Sequence, residues 1–159
     1  MQRDRQSRNT HMNVQPIFWG GLIAGTLDIT AACVYSWLRG NVSPVRVLQF
    51  VASGVLGPGS FAGGYKTAIF GLALHFVIAT VATMVFYFAS RKWMFLVEQP
   101  ILAGLLYGIP VYLFMNFIVL PLSQVAQRPQ PMSARIINLV ILMFCIGLPI
   151  ALIVRRFAR

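Results

Sequence analysis

The apolar run from Ile17 to Leu38 constrains the fold of this chain more than any other feature. At about 1.5 Å per residue, a helix of this length crosses the roughly 30 Å hydrocarbon core of a bilayer. The run contains one formal charge, Asp28, near its middle. A carboxylate at that depth costs about 2.5 to 3.5 kcal/mol on insertion scales. The run therefore predicts a membrane-spanning helix with Asp28 near the bilayer midplane.

Composition extends this prediction to the whole chain. Hydrophobic residues make up 58% of the 159 residues and charged residues only 10%, and the mean hydropathy is +0.74. Soluble domains carry about 25% charged residues, so this is the composition of an integral membrane protein. Three more apolar runs are long enough to span a bilayer. We predict an all-α four-transmembrane-helix bundle in residues 17–154, with spans at about 17–38, 67–89, 100–120 and 134–154.

A shorter helix is predicted at about 44–56, between the first two spans. Ser43 is a favourable N-cap, Pro44 suits the first helical position, and Gly57 begins a stop signal. The helix is too short to cross a bilayer. Its polar side chains share one stripe: Arg46, Gln49 and Ser53. This pattern predicts an interfacial or re-entrant helix, followed by a flexible glycine-rich turn over 57–64.

The distribution of Lys and Arg predicts the topology. Residues 1–16 form a basic tail and residues 155–159 a basic end, and the connection between the second and third spans adds Arg91 and Lys92. Together these three segments hold eight basic residues, whereas the other two connections hold five, spread over longer loops. Because cytoplasmic loops carry the excess of Lys and Arg, both termini are predicted to be cytoplasmic.

The net charge of +10 raises the question of which negatively charged partners the chain binds. A nucleic-acid-binding protein needs its basic residues on one soluble face, whereas here they lie in short tails and turns. We therefore predict no nucleic-acid partner. The expected partners are membrane lipids, with anionic head groups at the cytoplasmic face, and a membrane-protein partner or a second copy of the chain.

Six polar side chains form a candidate intramembrane site. Asp28 shares a helical face with small residues, so it is predicted to face a neighbouring helix. The topology gives the candidates similar depths in the outer half of the bundle: Asp28, His75, Tyr112, Asn116, Asn138 and Gln49. Two interpretations stay open, namely hydrogen bonds between helices and a site for protons or a small solute.

Several chemistries are not supported by the sequence. A bis-histidine haem needs two intramembrane histidines, but His11 lies in the tail and leaves only His75. No cluster of His, Cys and carboxylate residues suggests a metal site, and no nucleophile is paired with a base. We predict no catalytic residue, no metal and no cofactor, and hence no enzyme.

Five runs of sequence carry a resemblance to a known family: GGLIAGTLDI, RVLQFVASGVLG, LHFVIA, LLYGIPVYLFMNFIVLPLS and FCIGLPIAL. As a set, they resemble a widespread group of bacterial four-helix inner-membrane proteins, known as conserved hypothetical membrane proteins. The resemblance extends over nearly the whole chain after about Gln15. It implies a multi-pass protein of the bacterial inner membrane with the layout above, and it implies no activity or substrate.

Two classes of function remain for such a chain. The first is a non-catalytic accessory or scaffold bundle that packs against a larger membrane complex or lipid. The alternative is a small proton-coupled transporter or channel that uses Asp28 and His75.

Overall fold

The computed structural model describes residues 14–124 and 131–158, and over these ranges the chain is helical without strands. Four of its helices are long and apolar enough to cross a membrane, which confirms the predicted all-α fold with four candidate spans. Parts of the predicted tail (1–13) and of the basic end (Arg159) lie outside the described residues. The helices, numbered in chain order, are α1 Gln15–Gly40, α2 Pro44–Leu56, α3 Gly64–Lys92, α4 Phe95–Glu98, α5 Pro100–Leu122 and α6 Met132–Ala158.

Helix α2 has the predicted ends. Ser43 is its N-cap, and the Ser43 side chain accepts a hydrogen bond from the backbone N–H of Arg46 at 3.4 Å. Gly57 follows the last helical residue with a φ of 67°, a left-handed value that favours glycine. The structure thus confirms Ser43 as the N-cap of α2 and Gly57 as the residue at which the helix ends.

The segment after α2, where the sequence predicts a glycine-rich flexible turn, is a 3₁₀ helix, Gly57–Ala62. Two hydroxyl groups hold it in place. Ser60 Oγ donates to the backbone carbonyl of Gln49 at 3.0 Å, and Thr67 Oγ1 donates to the carbonyl of Ser60 at 2.6 Å. These bonds satisfy polar groups at the junction of α2 and α3, so glycine content alone was a poor guide to this segment.

Helices α1 and α3 pack antiparallel through small residues. An added methyl group at Gly21 would lie 2.6 Å from Thr80 Oγ1, and one at Gly25 would lie 2.9 Å from a ring carbon of Phe76. Because contacts this close cannot accommodate a Cβ, glycine allows the two backbones to approach. The small-residue face that carries Asp28 is therefore turned towards α3.

Helices α5 and α6 make an equally close antiparallel contact. A methyl group at Gly147 of α6 would overlap the carbonyl oxygen of Gly104, and one at Gly108 of α5 would overlap the backbone of Met143. Glycine is needed on both sides because backbone atoms face each other directly.

Both of these helices contain a wide π-helical turn before a proline. The turn at Met115–Val119 precedes Pro121, and the turn at Leu142–Gly147 precedes Pro149. A proline has no N–H, and its ring clashes with the carbonyl four residues earlier. A locally wider helix relieves that clash, which explains why each π turn ends two residues before its proline.

The helices are arranged around α1, which packs against both α3 and α6. Helix α2 packs on α3, and α5 packs on α6. Side chains from α1, α3, α5 and α6 form the core: Ala24, Phe86, Ala103, Ile146, Ile150, Ala151 and Val154. The backbones of α3 and α5 lie farther apart than those of α1 and α3 or of α5 and α6, which leaves an open seam between α3 and α5.

Candidate functional site

Asp28 of α1 and His75 of α3 are brought together inside the bundle. His75 Nε2 lies 3.9 Å from Asp28 Oδ2, and the two side chains are only 12% and 16% exposed, respectively. This separation suits an ion pair but is too long for a hydrogen bond. The two ionisable groups that the sequence singled out are therefore neighbours across the α1–α3 interface.

His75 makes its hydrogen bond to another part of α1. Its Nε2 lies 2.9 Å from the backbone carbonyl oxygen of Gly25. A carbonyl oxygen only accepts hydrogen bonds, so Nε2 carries the proton and donates it. His75 therefore ties α3 to α1, and the ring nitrogen nearest Asp28 is already a donor.

The carboxyl group of Asp28 has fewer partners. Among residues 14–124 and 131–158 it makes no hydrogen bond, and its contact is the electrostatic one to His75. The carboxyl group of Asp28 thus faces His75 of α3.

Gln49 makes its hydrogen bonds at the junction of α2 and α3 and not with Asp28 or His75. Its side chain is buried, and Nε2 donates to the carbonyl of Gly64 at 3.0 Å and to Thr67 Oγ1 at 3.5 Å. Thr67 precedes His75 by eight residues, which is about 12 Å along α3. The hydrogen bonds of Gln49 are therefore structural and lie at the start of α3.

The remaining candidates lie on α5 and α6. Asn116 Nδ2 donates to the backbone carbonyl of Tyr112 at 2.9 Å, so this bond stays within α5. Both side chains are half-buried, as is Asn138 in the first half of α6. The structure brings Asp28 and His75 together, whereas the side-chain amide groups of Gln49 and Asn116 donate hydrogen bonds elsewhere. A shared function of the six residues stays a prediction.

Sequence reasoning did not single out Tyr107. Its hydroxyl group donates to the carbonyl of Ala82 at 2.7 Å, and its ring packs edge-on against Phe86 at 4.9 Å between centroids. This tyrosine joins α5 to α3 across the open seam. Its sequence position could have identified it as a candidate, because it lies between Gly104 and Gly108 on a helix with few other polar groups.

A cavity of about 380 Å³ lies between α3 and α5 and was also not foreseen. Its lining is apolar apart from the Tyr107 hydroxyl, and it includes neither Asp28 nor His75. The lining residues are Val77, Ile78, Val81, Ala82, Val85, Tyr107, Pro110, Val111, Phe114, Met115 and Val119. The size falls within the range of small-molecule sites, about 300 to 1,000 Å³.

The chain was compared with family models, curated proteins and solved structures, and none of them matches it. Within the described ranges, no three His, Cys, Asp or Glu side chains are grouped closely enough to hold a metal ion.

Proposed function

We propose that this protein is a non-catalytic accessory or scaffold bundle. One observation carries the proposal: the His75 nitrogen that faces Asp28 already donates to the carbonyl of Gly25. A nitrogen that already carries a hydrogen does not accept another proton, so in this arrangement Nε2 takes up no proton from Asp28. His75 acts instead as a tie between two helices.

The other intramembrane polar bonds support the same role. Tyr107 ties α5 to α3, and Gln49 ties α2 to α3, in both cases through a backbone carbonyl. Bonds of this kind hold helices together and are typical of structural polar residues in membrane proteins. Polar groups used in this way do not form a path for a solute.

We further propose a location in the bacterial inner membrane with both termini cytoplasmic, as the resemblance and the basic residues favour. Antiparallel packing of α1 with α3 and of α5 with α6 is consistent with termini on one side. Anionic lipids at that side, and a larger membrane protein or a second copy, are the proposed partners.

Reconstitution into liposomes containing a pH-sensitive dye tests the proposal. We expect proton entry at the rate of empty liposomes for the wild type. Proton flux that is abolished by Asp28→Asn would overturn the proposal. The matched control is Glu98→Gln, because Glu98 is an exposed acid on α4, away from the bundle interior.

A second measurement tests the accessory role directly. After mild detergent extraction of native membranes, the protein should migrate as a discrete assembly heavier than its 17.7 kDa chain. Migration as a single chain under these conditions would contradict the proposal.

The second candidate function is a small proton-coupled transporter or channel. It is favoured by one observation, the ionisable pair at 3.9 Å inside candidate spans. Intramembrane acids commonly mark ion pathways. Flux that requires both Asp28 and His75 but not Glu98 is the result this candidate needs.

A further inference from the structure

We propose that the cavity between α3 and α5 binds an acyl chain of an anionic phospholipid whose head group contacts Lys92. This site needs the chain to span a membrane, but it does not depend on the accessory role.

The chemistry of the cavity limits what can occupy it. Its walls are aliphatic and aromatic side chains from two candidate spans, and the hydroxyl of Tyr107 is already bonded to Ala82. A polar ligand would find no free hydrogen-bonding partner in this lining. In a bilayer, the seam between α3 and α5 opens onto hydrocarbon, so an acyl chain is the occupant with matching chemistry.

The outer end of the seam is closed by α2. Leu48 of α2 packs against Gly71 of α3, and Gln124 after α5 donates to the carbonyls of Gly54 and Val55. Helix α2 therefore joins the outer ends of α3 and α5. A lipid chain is consequently expected to enter from the side or from the opposite end, where α3 finishes.

A continuous apolar track leads from that end into the cavity. It follows one face of α3 from Lys92 through Phe88, Val85, Val81 and Val77, and each of these side chains is exposed. The spacing of three or four residues places them in one row on the helix. No part of the chain within 14–124 and 131–158 buries this row, so it is open to lipid.

The dimensions agree with a lipid of one leaflet. Val85 and Val77 lie about 10 Å and about 22 Å from Lys92 along the helix axis at about 1.5 Å per residue. One leaflet of a roughly 30 Å hydrocarbon core is about 15 Å deep, so a chain whose head group lies at Lys92 reaches the cavity.

Charge selects the head group. Lys92 and Arg91 are exposed at the end of the track, and exposed cations near a membrane surface attract anionic lipids. In the proposed topology this end faces the cytoplasm. An anionic lipid with its acyl chain in the seam therefore satisfies both the charge and the apolar walls.

Native mass spectrometry of the full chain in a neutral detergent tests the site. The probes are dioleoyl phosphatidylglycerol and dioleoyl phosphatidylcholine in equal amounts, which share acyl chains and differ in head-group charge. We expect about fivefold preference for phosphatidylglycerol, the ratio that corresponds to one head-group contact of about 1 kcal/mol. Lys92→Gln should remove this preference, and Lys66→Gln, at the other end of α3, should preserve it.

Filling the cavity tests the acyl-chain part separately. Val81→Trp should reduce retention of both lipids, and Val85→Trp provides a second variant in case the first does not fold. Ile69→Trp is the control, because Ile69 is 67% exposed and does not line the cavity. Wild-type lipid retention in folded Val81→Trp or Val85→Trp would overturn the proposal. A wild-type dimer that Val81→Trp converts to a monomer would also overturn it, because a second copy would then be the occupant.

Discussion

Replacing Gly147 by alanine tests how closely α5 and α6 pack. A methyl group at this position would overlap the carbonyl oxygen of Gly104 and lie 2.9 Å from the amide nitrogen of Gly108. Both neighbours are backbone atoms, so no side chain can rotate away. The two helices must separate, and a gap of only 0.5 to 1 Å loses about a quarter to a half of each contact energy across it.

The expected cost follows from that geometry. Overpacking costs about 1 to 3 kcal/mol, and the rigid backbone neighbours place Gly147→Ala at the upper end. Alanine regains up to about 1 kcal/mol of helix propensity, which leaves a net loss of about 2 kcal/mol. At roughly 2 to 4 °C per kcal/mol for a chain of this size, Tm should fall by about 4 to 8 °C.

Thermal unfolding in detergent, followed by circular dichroism, measures this change. Gly59→Ala is the matched control, because a methyl group at Gly59 would meet nothing within 4 Å. Its Tm should stay close to that of the wild type. A Gly147→Ala variant with wild-type Tm, or an equal fall in both variants, would refute the packing argument.

Three further substitutions have expected outcomes in the same assay. Asp28→Asn should match or exceed wild-type stability, since the described chain makes no hydrogen bond to this carboxyl group; a fall of several degrees would show that the acid stabilises the fold. Tyr107→Phe should cost about 0.6 kcal/mol, and at most about 1.7, because it removes the bond to Ala82. A loss above 3 kcal/mol would be inconsistent with a single interhelical bond. Ser43→Ala should cost about 1 kcal/mol through loss of the α2 cap, and an unchanged Tm would argue against that cap.

The sequence predicted which residues belong to the candidate site, but it did not predict which of them are in contact. Asp28 and His75 stand out in sequence because ionisable groups are rare in apolar runs, and the small residues beside them indicate which face is buried. Their contact depends on the rotation and register of α1 against α3. Gln49 illustrates the limit: its predicted depth was similar, but its bonds are made with Gly64 and Thr67.

The sequence by itself determined the number of candidate spans, their approximate ends and the helix α2. These features follow from local hydropathy, caps and stop signals, which act within a few residues of one another. The tertiary structure decided the Asp28–His75 distance, the donor role of His75 and the open seam between α3 and α5. Apolar helices present similar surfaces to one another, so close glycine contacts such as Gly104–Gly147 select which helices pack together and which do not.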